Sequence, residues 1–302
     1  MRIGIDLGGT KIEGIVLDNS SEIRARQRVS TPRGDYAAIL ATITDLVVNL
    51  ESEVGRACSV GIGMPGTISP YNRRVKNSNT TVLNGKAFDR DLTIRMGREL
   101  RFENDANCFV LSESVDGAGR DSASVFGVIL GTGTGGGISI NQQILRGANA
   151  IAGEWGHNPL PWARAGESAA PECYCGKTGC IETYVSGAGL TFAYSEQEQE
   201  VTPASEIAVR AEAGEPAAQS AIALYADRLA RGLASIVNVI DPDIVVLGGG
   251  LSKITVLYRL LPPLVEKYAF TDRLTLRVVP ATHGDSSGVR GAAWLWPIKP
   301  SC

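Results

Sequence analysis

One arrangement occurs twice in this chain and constrains its fold more than any other feature. A strand, a turn rich in glycine and threonine, and a second strand appear at residues 3–18 and again at residues 125–140. Each copy opens one half of the sequence, so the expectation is an internally duplicated α/β unit with a central cleft between its halves. In the first copy, apolar-leaning residues 2–7 end in Asp6-Leu7-Gly8-Gly9-Thr10-Lys11, with Gly4 and Ile5 counted alongside that motif as candidate nucleotide-binding residues, and residues 11–18 resume as a strand. Such a turn exposes backbone N–H groups that hold phosphate oxygens. The Thr10 hydroxyl and Lys11 ammonium add donors, and Asp6 can hold a water of a magnesium ion. A Gly-Gly hairpin is also commonly no more than a turn.

The second copy carries Gly131-Thr132-Gly133-Thr134-Gly135-Gly136-Gly137 between a strand at residues 123–130 and another at 138–141. Gly131, Gly133 and Gly136 satisfy the dinucleotide pattern G-x-G-x-x-G, but that motif requires a helix after the glycines, and a strand follows them here. Two such turns facing each other would grip a triphosphate from both sides.

Around these repeats the pattern gives strands at 2–7, 11–18 and 22–29, a helix at 35–54, a strand at 59–64, an irregular polar stretch to Gly85, and a helix at 88–100. A mixed sheet covered by helices follows from that order. Residues 101–105 form a short strand running into a helix at 106–115. Asn104 and Asp105 sit at the junction, where a helix needs an N-cap, and also at the carboxyl end of a strand, where clefts form. Both readings stand: cap, or general base facing a substrate. Residues 195–203 are polar and poorly periodic, whereas residues 216–240 form a long amphipathic helix stopped by Asp241-Pro242. The strand at 243–247 ends in Gly248-Gly249-Gly250 before a helix at about 255–268. Glycines there let a flat ring approach the backbone, which suits a nucleotide base, and equally let a helix start turn. A last strand at 275–279 and a helix through Trp296 complete the chain.

The thirty residues from Gly153 to Glu182 hold the most specialised chemistry. They contain Gly153-Glu154-Trp155-Gly156-His157, then Cys173-Tyr174-Cys175, then Cys180-Ile181-Glu182. One histidine and three cysteines match the ligands of a closed structural zinc site, His157 with Cys173, Cys175 and Cys180. Scattered thiols or a disulfide knot are the alternatives, the latter disfavoured in a reducing compartment. Glu154 and Glu182 flank the ligands, and Cys58, Cys108 and Cys302 have no companions at ligand spacing. His283 reads as a loop histidine. A net charge of −3 gives no basic footprint for nucleic acid. The opening residues lack the apolar run of a signal peptide, and the longest uncharged window, residues 122–145, is a turn-broken strand pair, so a cytoplasmic protein with no membrane span is expected.

These motifs together resemble the ROK family (repressors, open reading frames, kinases) of the actin-like ATPase superfamily, and the resemblance covers essentially the whole chain. Asp6-Leu7-Gly8-Gly9-Thr10-Lys11 resembles the first phosphate motif, Gly131–Gly137 the second, Gly248-Gly249-Gly250 the adenosine motif, and Gly153-Glu154-Trp155-Gly156-His157 with the three cysteines the zinc signature. The resemblance implies a duplicated, ribonuclease H-like fold with a small domain at 1–118, a large domain at 119–285, and a C-terminal helix at about 286–302 returning to the small domain. It implies Asp105 as catalytic base of a sugar kinase using ATP and magnesium, a structural zinc, and Asn104, Glu154, His157 and Glu182 on the sugar hydroxyls, His157 serving zinc and substrate with its two sides. It also implies a homodimer. Regulators of the family carry a helix-turn-helix domain before the first phosphate motif. The first strand here begins at Arg2, which leaves no room for one, so a kinase is expected. Met64-Pro65-Gly66-Thr67-Ile68-Ser69-Pro70-Tyr71, Leu83-Asn84-Gly85 and His157-Asn158-Pro159-Leu160-Pro161-Trp162 are similar to bacterial fructokinases (mannokinases) of the family. The expectation is therefore phosphorylation of fructose at the 6-hydroxyl, with mannose or glucose weaker. The alternatives are an N-acetylglucosamine or other hexose kinase, and, in another class, a non-catalytic sugar sensor.

Overall fold

The computed structural model describes residues 1–165, 167 and 172–297. The chain forms two compact units. Residues 1–120 open the first, with β1 (Arg2–Leu7), β2 (Lys11–Leu17), β3 (Ile23–Ser30), α1 (Tyr36–Val54), β4 (Ser59–Met64), β5 (Thr67–Ile68), β6 (Val75–Lys76), α2 (Phe88–Met96), β7 (Leu100–Asn104) and α3 (Asp105–Val115). The second unit begins with β8 (Ser124–Leu130) and β9 (Thr134–Ile140). Residues 142–152, which include β10 (Gln143–Ile144), belong to the first unit. Residues 153–284 belong to the second and supply α4 (Ile181–Val185), α5 (Gly187–Glu198), α6 (Ala204–Glu212), α7 (Pro216–Ile240), β11 (Ile244–Gly248), α8 (Leu257–Tyr268) and β12 (Arg277–Pro280). From Asp285 onward the chain belongs to the first unit and forms α9 (Ser287–Trp294). The expected C-terminal helix therefore ends at Trp294, and residues 298–302, Cys302 among them, lie outside the described residues.

The sheet of the first unit runs β3-β2-β1-β4-β7. β1 pairs antiparallel with β2 and parallel with β4, and β4 pairs parallel with β7. The second unit repeats the plan, with β8 antiparallel to β9 and parallel to β11, which is parallel to β12. A hairpin followed by parallel strands is thus built twice, once in each half of the sequence.

Helices cover the first sheet for reasons legible in the residues. α1 starts where the Asp35 side chain accepts the Ala38 N–H at 3.0 Å and ends at Gly55, left-handed at φ 67°. Between them Ile39, Ile43, Leu46, Val47 and Leu50, spaced three and four apart, are buried. They join Ile3, Ile5, Phe88 and Leu92 in one core. α9 packs on the other side, so closely that a Cβ on Gly4 would collide with the Val289 carbonyl oxygen, and one on Gly61 with that of Ala292. Gly4 and Gly61 are register partners on β1 and β4, which clears a path for the helix backbone. In the second unit α7 begins with Pro216 in its first turn and buries Ile222, Leu229, Leu233 and Val237.

Two expectations give way. The polar tract at 195–203 is partly helix, since α5 runs to Glu198, and α6 follows at Ala204, a helix the weak periodicity does not announce. The glycine run of the second repeat is not all turn, because β9 begins at Thr134 and pairs Gly135, Gly136 and Gly137 with Ile129, Val128 and Gly127. The turn proper is Gly131–Gly133.

Candidate active site

In the first unit the hairpin between β1 and β2 is a tight loop closed by the Gly8 N–H donating to the Lys11 carbonyl at 3.0 Å. Thr31, just past the end of β3, holds it, its hydroxyl donating to the Gly8 carbonyl at 2.7 Å. Gly4 and Ile5, included in the sequence-based phosphate motif, lie in β1 instead: Gly4 meets α9 and Ile5 is fully buried in the core. Asp6 ends the strand opposite Glu13. The Asp6 carboxyl is pushed up to about 7, first by burial, then by the nearby charges of Asp105 and Glu13, with Lys11 opposing. Glu13 is itself buried and ringed by cations: Arg26 Nη2 at 2.6 Å, Arg28 Nε at 3.0 Å, and Lys11 Nζ at 3.8 Å. Asp105 thus adds a negative charge near Asp6 in the same unit.

The corner between β7 and α3 shows both readings of Asn104 and Asp105 divided between neighbours. Asn104 is the N-cap, its Oδ1 accepting the N–H groups of Ala106 at 2.9 Å and Asn107 at 3.3 Å, while its Nδ2 donates to the Gly66 carbonyl at 3.1 Å. Asp105 is the first residue of α3, its Oδ1 accepting the Ala106 N–H at 2.8 Å. Behind them lies a residue that sequence reasoning passed over. Glu103, buried, accepts the Asn104 N–H at 2.9 Å and Asn107 Nδ2 at 3.0 Å on one oxygen and pairs with Arg146 through the other.

In the second unit His157, Cys173, Cys175 and Cys180 gather with their ligand atoms all within 4.8 Å of one another. Cys173 Sγ is 3.5 Å from His157 Nδ1, and Cys175 Sγ is 3.6 Å from Cys180 Sγ. A tetrahedron with zinc–sulfur bonds of about 2.3 Å has edges of about 3.8 Å, so these separations fit a four-ligand shell. Burial pushes the Cys173 thiol up to about 12. The imidazole has two faces: Nδ1 toward the thiols, and Nε2 toward the Tyr174 hydroxyl at 3.0 Å and Glu154 at 3.9 Å. Tyr174, 76% exposed, is a further polar group here that the sequence did not single out.

Glu182, at the start of α4, ties the cysteines to the glycine turn. Cys173 Sγ donates to its Oε1 at 3.7 Å, and its Oε2 accepts the Thr134 N–H at 2.9 Å. A Cβ on Gly133 would come within 2.5 Å of that oxygen. Gly136 is explained by packing, since its Cβ would fall 2.5 Å from Trp155, whose indole N–H donates to the Gly135 carbonyl at 3.2 Å. The structure also brings Gly131 and Thr132 together with Gly250 in a cavity of about 780 Å³, walled by Ala208 and Val209 of α6 and by Leu251 and Ile254. Gly248 closes β11, and Gly249, at φ 82°, turns the chain against the Leu130 carbonyl where a side chain has no room. A glycine turn at one end and an apolar slot at the other suit an anion attached to a flat ring.

A family model described as the ROK family matches residues 2–299. The chain belongs to the ROK family. Its fold is the actin-like ATPase fold of that family. An N-acetyl-D-glucosamine kinase of Vibrio cholerae serotype O1 is 40% identical over 299 residues, covering 98% of this chain and 99% of the relative. One from Yersinia enterocolitica is also 40% identical over 299 residues, with the same coverage. Among solved structures, a ROK hexokinase from Thermus thermophilus is similar with a TM-score of 0.84 and 28% identity, over 97% of this chain and 96% of that one. A ROK family glucokinase from Streptomyces griseus in complex with glucose and AMPPNP gives 0.76 and 27%, over 97% and 98%. No helix among the described residues is long and apolar enough to cross a membrane.

Proposed function

We propose that this ROK protein is an ATP-dependent hexose kinase in which Asp105 accepts the proton of the attacking sugar hydroxyl. The observation that carries the reading is the corner of β7 and α3. A carboxylate at a strand's carboxyl end is anchored by a capping neighbour and shares its unit with the raised carboxyl of Asp6. Asn104, Glu154, His157 and Glu182 are the candidate sugar contacts. The turns at 8–11 and 131–134 are the candidate phosphate contacts, and the cavity beside Gly250 is the candidate base site. Magnesium suits the excess negative charge around Asp6, where it would neutralise developing phosphate charge. Zinc suits the four-ligand cluster, and a closed shell of that kind supplies rigidity and no reaction chemistry. The chain's own part is to hold the hydroxyl against Asp105, take its proton and keep water away, so positioning supplies most of the rate.

N-acetylglucosamine is the better supported substrate, because relatives matching nearly the full chain at 40% identity carry that activity in their names. Fructose remains the second reading on a specific observation, the local similarity of residues 64–71, 83–85 and 157–162 to fructokinases. A fold shared by several sugar kinases leaves the choice to the site's own residues. ADP release with magnesium-ATP against N-acetylglucosamine, fructose, mannose and glucose tests both. Sugar-dependent turnover lost in Asp105→Ala supports the kinase. Absence of turnover with every sugar in zinc-loaded protein refutes it in favour of a sugar-binding sensor.

A further inference from the structure

A second cavity, of about 590 Å³, lies wholly within the first unit, along β7, the edge strand of its sheet. Four guanidinium groups line it, those of Arg73, Arg90, Arg101 and Arg146, against two carboxylates, Asp89 and Glu103. Asp91, outside the lining, neighbours Arg90 at 3.4 Å, and the balance stays positive even with it counted. Arg101 is fixed rather than neutralised, since it donates to the Leu295 carbonyl at 2.6 Å and stacks 4.0 Å over the Trp296 ring. Asp89 pairs with Arg73 through Oδ2, whereas its Oδ1 is buried without a hydrogen-bond partner.

We propose that this cavity binds a phosphorylated sugar. The phosphate monoester, carrying nearly two negative charges, matches the guanidinium excess, and arginine forks hold phosphate oxygens in pairs. Thr93 and the Asp89 carboxylate in the lining offer partners for ring hydroxyls, and the volume accommodates a hexose phosphate. Arg146 links the cavity to the catalytic corner. It grips Glu103, whose other oxygen holds the Asn104 N–H and Asn107. A phosphate that draws Arg146 away loosens the corner carrying Asp105, so occupancy lowers kcat more than it raises the sugar KM. That regulatory consequence rests on the kinase reading, whereas the binding does not.

Calorimetric titration of the zinc-loaded full chain tests the site without any turnover. The probes are glucose 6-phosphate, fructose 6-phosphate, glucose, glycerol 3-phosphate and inorganic phosphate. Hexose phosphate binding weakened about tenfold by Arg73→Gln with Arg90→Gln, and separately by Asp89→Asn, supports the proposal. Unchanged affinity in these proteins assigns any binding to the active site and overturns it. Inorganic phosphate or glycerol 3-phosphate binding as tightly as hexose phosphate overturns the sugar assignment. Should the double variant melt early, Arg90→Gln alone carries the test, since that side chain is 71% exposed and bears no core load. In the active protein, inhibition by hexose phosphate that is noncompetitive with sugar and is lost in Arg90→Gln supports the coupling. Purely competitive inhibition retained in the variant overturns it.

Discussion

Replacing Asp6 by Asn should make the protein's pH dependence of stability change in a calculable way. In the native state burial and the charges of Asp105 and Glu13 hold the Asp6 carboxyl near 7, whereas its ordinary value is 3.8. Between those two values the native state holds a proton that the unfolded chain has released, so stability falls as pH rises. The contribution is fully favourable below about pH 4, declines through neutrality, and levels off once native Asp6 is ionised. A shift of about three units corresponds to on the order of 4 kcal/mol across that window, with a slope approaching 1.4 kcal/mol per pH unit. Asn carries no ionisable proton and removes the slope. Urea unfolding of the two zinc-loaded proteins, at pH 5, 6, 7 and 8 without nucleotide or magnesium, isolates this term, because every other titrating group is common to both. The stability difference should move in favour of Asp6→Asn by about 1 kcal/mol per unit from pH 5 to pH 7 and flatten by pH 8. Magnesium-nucleotide, which favours the ionised carboxylate, should flatten the parent's pH dependence, whereas any stabilisation of the variant should be nearly independent of pH. Parallel curves for the two proteins would refute the burial and charge account of Asp6.

Chelation of the metal from the cluster of His157 and the three cysteines should lower the melting temperature and weaken sugar binding even with magnesium restored, with one zinc per chain found by metal analysis beforehand. Unchanged melting after chelation would remove the four-ligand site. Asp105→Asn should reduce kcat by roughly 10²–10⁴ while the sugar KM moves far less, as expected of a proton acceptor that is not the main source of binding. A comparable loss in KM alone would make Asp105 a binding residue. Gly136→Ala puts a methyl 2.5 Å from the Trp155 ring and should cost about 1–3 kcal/mol in chemical denaturation, while Gly250→Ala, with open space around it, should cost much less. Equal costs would show that the first glycine is not there for packing.

Local pattern carried the repeat, the hairpins and α7, because each is written in consecutive residues: alternation closed by glycine, or a helical stripe bounded by Pro216 and Asp241. It located His157, Cys173, Cys175 and Cys180 because ligand chemistry marks residue types wherever they fold. It missed α6, where only Ile207 is buried and the polar face dominates the pattern. The strand character of Gly135–Gly137 was hidden as well, since glycine signals a turn unless the partner strand and Trp155 are visible. Pairings across the chain were equally silent. Nothing near Glu103 in sequence announces Arg146, and nothing near Asp6 announces that Asp105 will raise its pKa.

The position of Glu182 shows how a metal held by the four clustered side chains would act on the neighbouring glycine turn. Cys180 is the N-cap residue of α4, its Sγ 3.6 Å from the His157 carbonyl oxygen, so a metal shell closed on Cys180 would fix where that helix begins. Glu182 is two residues further on, its Oε1 3.7 Å from Cys173 Sγ and its Oε2 accepting the Thr134 N–H. The same Ile181-Glu182 turn is bonded back to Asn158, whose carbonyl accepts the Ile181 N–H at 2.8 Å. Glu182 thereby holds one end of the glycine turn at 131–134, and the Gly187 N–H, donating to the Gly131 carbonyl at 2.8 Å, holds the other. A turn of small residues has little side-chain packing to fix its shape. Its rigidity comes from these neighbours, and a metal binding four side chains from three separate stretches would order the turn with them.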